Sequence, residues 1–145
     1  MMKMRYVCSL LAALAVSSCA NLPTPRESES QTLGSDNSAI IALVQSARED
    51  AAAGRLNAAA SNLERALRIE PRNATLWHEL ARVTLNQGQP DQAVQLASKS
   101  NTFAGQNVAL RASNWRLIGQ ARTQAGDQEG AESAFDRAAQ IERQR

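Results

Sequence analysis

Aromatic residues make up only 3% of the 145-residue chain, and it holds four prolines, one histidine and two cysteines, Cys8 and Cys19. Each scarcity excludes something. With no cysteine after position 19, the rest of the chain can build neither a disulfide framework nor a thiolate metal site. His78 stands alone, so a two-histidine metal site is excluded and no histidine-based triad has its partners in reach. Gly-x-Ser-x-Gly, a phosphate loop and His-Glu-x-x-His are all missing. Acidic pairs such as Glu49-Asp50 and Asp127/Glu129 read as solvated charges at helix ends. The expectation is therefore a protein that is not an enzyme, with no cofactor and no metal. An excess of one charge is also lacking. Lys3 and Arg5 account for the formal +2, and from Cys19 onward fourteen basic residues face fourteen acidic ones. A neutral segment has no electrostatic footprint for nucleic acid. Scarce β-branched and aromatic residues argue against a sheet, and abundant alanine argues for an all-α fold with close helix contacts.

What is present begins with an address. MMKMRYVCSLLAALAVSSC carries basic Lys3 and Arg5, an apolar run from Tyr6 to Val16 and small residues before Cys19. The run is too short for a bilayer, which needs about 20 residues, and has the build of a secretory signal. Val16-Ser17-Ser18-Cys19 resembles the lipobox of bacterial lipoproteins. The resemblance implies a signal peptide over 1–18, cleavage before Cys19 and a covalent lipid (palmitate and related acyl chains) on that cysteine. Ala20 in the next position, rather than Asp, points by the same resemblance to the outer membrane, facing the periplasm. Residues 19–37 hold two prolines, several serines and mixed charge, and are expected to form a flexible tether reaching roughly 20–25 Å.

From Ser38 the sequence repeats. Gly54 and Gly88 are 34 apart, as are Ala59 and Ala93; Trp77 and Trp115 are 38 apart, as are Gly88/Gly126 and Ala93/Ala131. Several anchors sharing one offset define three copies with four extra residues between the second and third, assigned to a loop over 100–108 that carries Phe103. Such a period points to a solenoid of helix pairs. Six helices are predicted, near 38–53, 57–69, 74–87, 90–99, 109–125 and 128–143. Gly54, Gly88 and Gly126 end helices in the left-handed region, Asn57, Asp91 and Asp127 cap the next ones, Pro71 stops a helix and Pro90 opens one. Ala131, Phe135, Ala138 and Ile141 form the packed face of the last helix.

These residues resemble the tetratricopeptide repeat: Trp77-x2-Leu80-Ala81 then Ala93-x3-Ala97, and Trp115-x2-Ile118-Gly119 then Ala131-x3-Phe135-x2-Ala138. The first copy, Leu43-x2-Ser46-Ala47 then Ala59-x3-Leu63-x2-Ala66, is the weakest at its start. Asp50, Thr84 and Arg122 replace the family's frequent tyrosine, and Gly105 stands opposite Pro71. The resemblance implies a short α-solenoid of three helix pairs over 38–145, with the first helix of each pair lining a concave groove. Arg48, His78, Arg82, Asn86 and Arg116 would then face a protein or peptide partner, since guanidinium groups bind carboxylates in a fork. Trp77 and Trp115 match packing positions. The leading reading is a scaffold or adaptor tethered in the cell envelope. The alternative is an assembly or pilotin-like factor for a secretion or pilus machine; those proteins usually carry more copies. Three copies suit a small accessory part or an oligomer that extends the groove.

Overall fold

The computed structural model describes residues 37–144; the signal segment 1–18, Cys19 and all of the tether except Asn37 lie outside the described residues. The described residues form six helices and no strand: α1 (Ser38–Ala52), α2 (Leu56–Ile69), α3 (Ala74–Asn86), α4 (Pro90–Phe103), α5 (Val108–Ala125) and α6 (Gln128–Arg143). Each helix packs on the next in chain order, and α3 also meets α5.

Asparagine starts the first helix of every pair, which the sequence reading did not foresee. Asn37 Oδ1 accepts from the Ala39 N–H at 3.0 Å, Asn73 Oδ1 from Thr75 at 3.0 Å and Leu76 at 3.3 Å, and Asn107 Oδ1 from Leu110 at 3.0 Å. Each cap satisfies amide donors that a helix start leaves open, and is worth about 1 kcal/mol. The second helices differ. Asn57 and Asp91, expected as caps, lie inside the first turn, while Arg55 and Gln89 hold the cap positions without a side-chain bond. The chain regains helical geometry within two residues of Gly54 and Gly88, too soon for the expected caps to serve. At α4, Pro90 opens the helix with no N–H to satisfy. Asp127 does cap α6, accepting from the Gly130 N–H at 2.9 Å.

Gly54, Gly88 and Gly126 have φ of +75°, +76° and +84°, as the sequence reading expects. No atom lies within 4 Å of where a Cβ would stand on any of them, so the backbone angle alone selects glycine. At Gly130, in the first turn of α6, a Cβ would meet the Asp127 carboxylate and the Arg122 guanidinium, so the ends of those two side chains must shift to admit a larger residue.

The four extra residues are also elsewhere than expected. Asn73 and Asn107, equivalent caps, are 34 apart, and the connections 70–73 and 104–107 are equally long. Residues 100–103 continue α4 to Phe103 instead of forming a loop. The offset changes to 38 only within α5: Trp77 stands four residues after its cap Asn73, and Trp115 stands eight after Asn107. At 3.6 residues per turn, four residues are one added turn of helix.

Two clusters make the core. Ile40, Val44, Leu63, Leu67, Leu76 and Leu80 anchor the first, with Trp77 packed against it. The second is built from smaller residues, Ala81, Ala93, Ala97, Ala121 and Ala134 around Leu117 and Ile118, with Trp115 alongside. Helix α3 serves both: Leu76, Leu80 and Val83 enter the first, Ala81 the second. Phe135, expected to be packed, is 40% exposed. Its ring covers Gly119, where a Cβ would come within 2.6 Å of Phe135 Cε1. Its counterparts Leu63 and Ala97 are buried inside the array. Among the described residues no helix follows α6 to cover Phe135.

Candidate protein-binding face

The first helices of the three pairs lie side by side: Arg48 of α1 reaches Glu79 of α3, and His78 of α3 reaches Asn114 of α5. Of the five residues predicted to line a groove, Arg48 and Arg82 come together, and Glu79 joins them. Its Oε1 accepts from Arg48 Nη2 at 3.1 Å, and its Oε2 accepts from Arg82 Nη2 at 2.8 Å and Nε at 3.2 Å. The Glu79 side chain is 13% exposed, whereas the two arginines are about half exposed. The cluster keeps one net positive charge, with guanidinium edges open to solvent.

Burial is the largest single influence on Glu79 and opposes its charged form. The charge and hydrogen bonds of Arg82, joined by those of Arg48, outweigh it and hold the carboxyl below the usual carboxylate range. A carboxyl depressed by folding stabilises the native state above its unfolded pKa, about 4.3 for glutamate, and that contribution disappears as pH falls through the folded value. Glu79→Gln should therefore destabilise by on the order of 1 kcal/mol at pH 7, the scale of partly exposed pairs. The difference from wild type should shrink below about pH 4. Urea midpoints at pH 7 and pH 3 check this; an equal difference at both would show that the charge is not responsible.

His78 faces inward more than predicted. It is half-buried, and its Nδ1 lies 2.6 Å from Asn114 Oδ1. Asn114 is fully buried, and its Nδ2 donates to Ser100 Oγ at 2.8 Å and Asn101 Oδ1 at 3.0 Å. Ser100, also buried, donates to the Ala74 carbonyl at 2.8 Å. With the Asn114 amide nitrogen committed to two acceptors, its oxygen is left to accept from the imidazole N–H. The network bolts α3, α4 and α5 together, and none of it was anticipated. The signal was available: Asn114 stands 38 residues after Leu76, a polar residue where the earlier copies have Ala42 and Leu76. Asn86 is exposed at the far end of α3, in a recess shared with Gly54, Asn57 and Gln87. Arg116 pairs with Glu142 of α6 and takes no part in the Glu79 cluster.

Phe103 is half-buried at the end of α4, with the Lys99 ammonium 5.1 Å and the Arg72 guanidinium 5.8 Å from its ring centre. It lines an open recess of about 560 Å³ with Ile69, Pro71 and Leu110, where the α2–α3 and α4–α5 turns lie next to each other. Among the described residues no group of three or more His, Cys, Asp or Glu side chains could hold a metal ion.

Six antiparallel helices in three offset pairs, with small residues at the pair contacts and left-handed glycines between the helices of each pair, define a tetratricopeptide-repeat protein. A family model described as tetratricopeptide repeat matches residues 50–112, and the chain belongs to that family. In particular, it is similar to the solved globular C-terminal domain of P. aeruginosa LpoP, with 40% sequence identity and a TM-score of 0.70, over 71% of this chain and 97% of that one. No curated protein matches the chain.

Proposed function

We propose that the chain is a non-catalytic scaffold of the bacterial envelope, held at the outer membrane by lipid on Cys19 and facing the periplasm, whose repeats bind a protein or peptide partner. The observation that carries this reading is the 40% identity to nearly the whole of a domain that is itself the C-terminal globular part of its protein. Here too the repeats follow other sequence, and that sequence ends its apolar run at Val16-Ser17-Ser18-Cys19. On the face formed by α1, α3 and α5, Arg48 and Arg82 flank Glu79 and offer guanidinium edges on a rigid frame. A repeat array uses such an extended face for recognition.

Crosslinking in intact cells followed by purification from detergent-solubilised membranes tests it. The wild-type chain should retain a defined envelope partner. Arg48→Glu, Arg82→Glu and Arg116→Glu together should reduce that recovery at least tenfold while the helical circular dichroism stays unchanged. Recovery of no partner by the wild type would overturn the scaffold reading; full recovery by the triple variant would move the binding site off this face.

A further inference from the structure

We infer that the end of the domain where the α2–α3 and α4–α5 turns meet is a docking groove for an acidic peptide segment carrying apolar residues. The inference rests on the scaffold reading and assigns a second site, away from the Glu79 cluster. Ile69 and Phe103 are equivalent residues, 34 apart, at the last positions of α2 and α4. Ile69 is 46% exposed, one of two large apolar side chains so exposed among the described residues. It divides two open recesses of about 560 and 570 Å³. One holds Phe103 and Leu110; the other holds Leu43 with the flanking Arg65 and Arg68.

The charge around these recesses is mostly positive. Arg65, Arg68 and Arg72 line them, and Lys99 stands over Phe103. Among the described residues none of these four forms an ion pair, whereas Arg48, Arg82 and Arg116 all do. The one carboxylate lining them, Glu70, accepts from Asn73 Nδ2 at 2.8 Å. Arg72 and Lys99 are drawn to the faces of the Phe103 ring, which holds two long side chains in place and leaves their outer N–H groups for a carboxylate. Apolar floors recessed between helices, rimmed by unpaired cations, fit side chains that insert, flanked by aspartate or glutamate. A flat anionic bilayer would engage the cations but would not fill the recesses.

Fluorescence anisotropy with the full chain in neutral detergent tests the inference. The probes are two labelled synthetic peptides, one with two leucines flanked by glutamates and one with serines replacing the leucines. The leucine peptide should bind at 50 mM salt at least tenfold more tightly than the serine peptide. Arg72→Glu with Lys99→Glu should weaken it at least tenfold, and the control pair Arg55→Glu with Arg137→Glu by less than twofold, all with unchanged circular dichroism. Equal binding of both peptides, equal loss in both variant pairs, or no binding by the wild type would overturn the groove. So would loss of affinity for phosphatidylglycerol micelles, rather than peptide, in the Arg72/Lys99 variant, which would make the patch a lipid-binding surface. Failure of the scaffold reading is distinguishable, because there no partner is recovered from cells by any variant.

Discussion

Asn114→Ala is expected to lower the thermal midpoint by about 10–20 °C, the largest stability effect of any single polar substitution in the domain. Asn114 is fully buried and makes two donor contacts and one acceptor contact, to side chains on two other helices. Alanine removes all three and leaves the His78 N–H and Asn101 Oδ1 short of a partner in or near the interior. A stranded buried group costs about 1–3 kcal/mol, and the small cavity left by the missing amide adds to it. About 3 kcal/mol in total converts to the stated shift for a domain of this size. Asn86→Ala, at an exposed position of α3, should move the midpoint by no more than about 2 °C. Melting curves followed at 222 nm decide it: equal, small shifts for the two variants would mean that the network joining α3, α4 and α5 contributes nothing to stability.

Cys19→Ser should abolish labelling by radioactive palmitate and move the chain out of the membrane fraction. On the lipoprotein reading proposed above, the lipid on Cys19 is what holds the chain to the membrane. One acyl chain binds a bilayer reversibly, while two or three on a single residue hold it firmly. Replacing a sulfur nucleophile by a hydroxyl removes the acylation site without touching any of the six helices. Equal labelling of wild type and variant would overturn the lipoprotein reading, and equal fractionation with loss of label would show that something other than the lipid holds the chain to the membrane.

Much of the fold was legible because its signals are local. A glycine that must take φ near +75°, a proline that cannot continue a helix and an alanine spaced for helix contact announce themselves in the sequence, and Gly54, Pro71 and Ala81 all did. The asparagine caps were harder to see, since Asn73 and Asn107 read as ordinary turn residues until helical amides are seen to converge on them. The position of the four extra residues was misread for a related reason. Trp115, Gly126 and Ala131 all lie downstream of the change of offset, and only Asn107, unrecognised as an anchor, lies upstream. At the candidate site, repeat offsets put Arg48 and Arg82 on one face, and in the structure both reach Glu79. They gave no notice that Glu79 lies between them, although it stands three residues before Arg82 on the same helix. Formal neutrality hid the rest: charges that cancel over the chain are unevenly spread, and the Ile69–Phe103 end gathers Arg65, Arg68, Arg72 and Lys99 around a single lining carboxylate, Glu70.

The added turn in α5 shows which changes of length this array can absorb. Successive residues advance about 100° around a helix, so four of them return a side chain to within about 40° of its starting direction. Trp115 and Ile118 therefore still meet α4 and α6, although the cap at Asn107 keeps the earlier spacing. An insertion of two residues would have swung Trp115 roughly 200° to the solvent side and put charged neighbours against Ala97. Growth of this array inside a helix thus comes in whole turns, and each whole turn extends only one end of one helix.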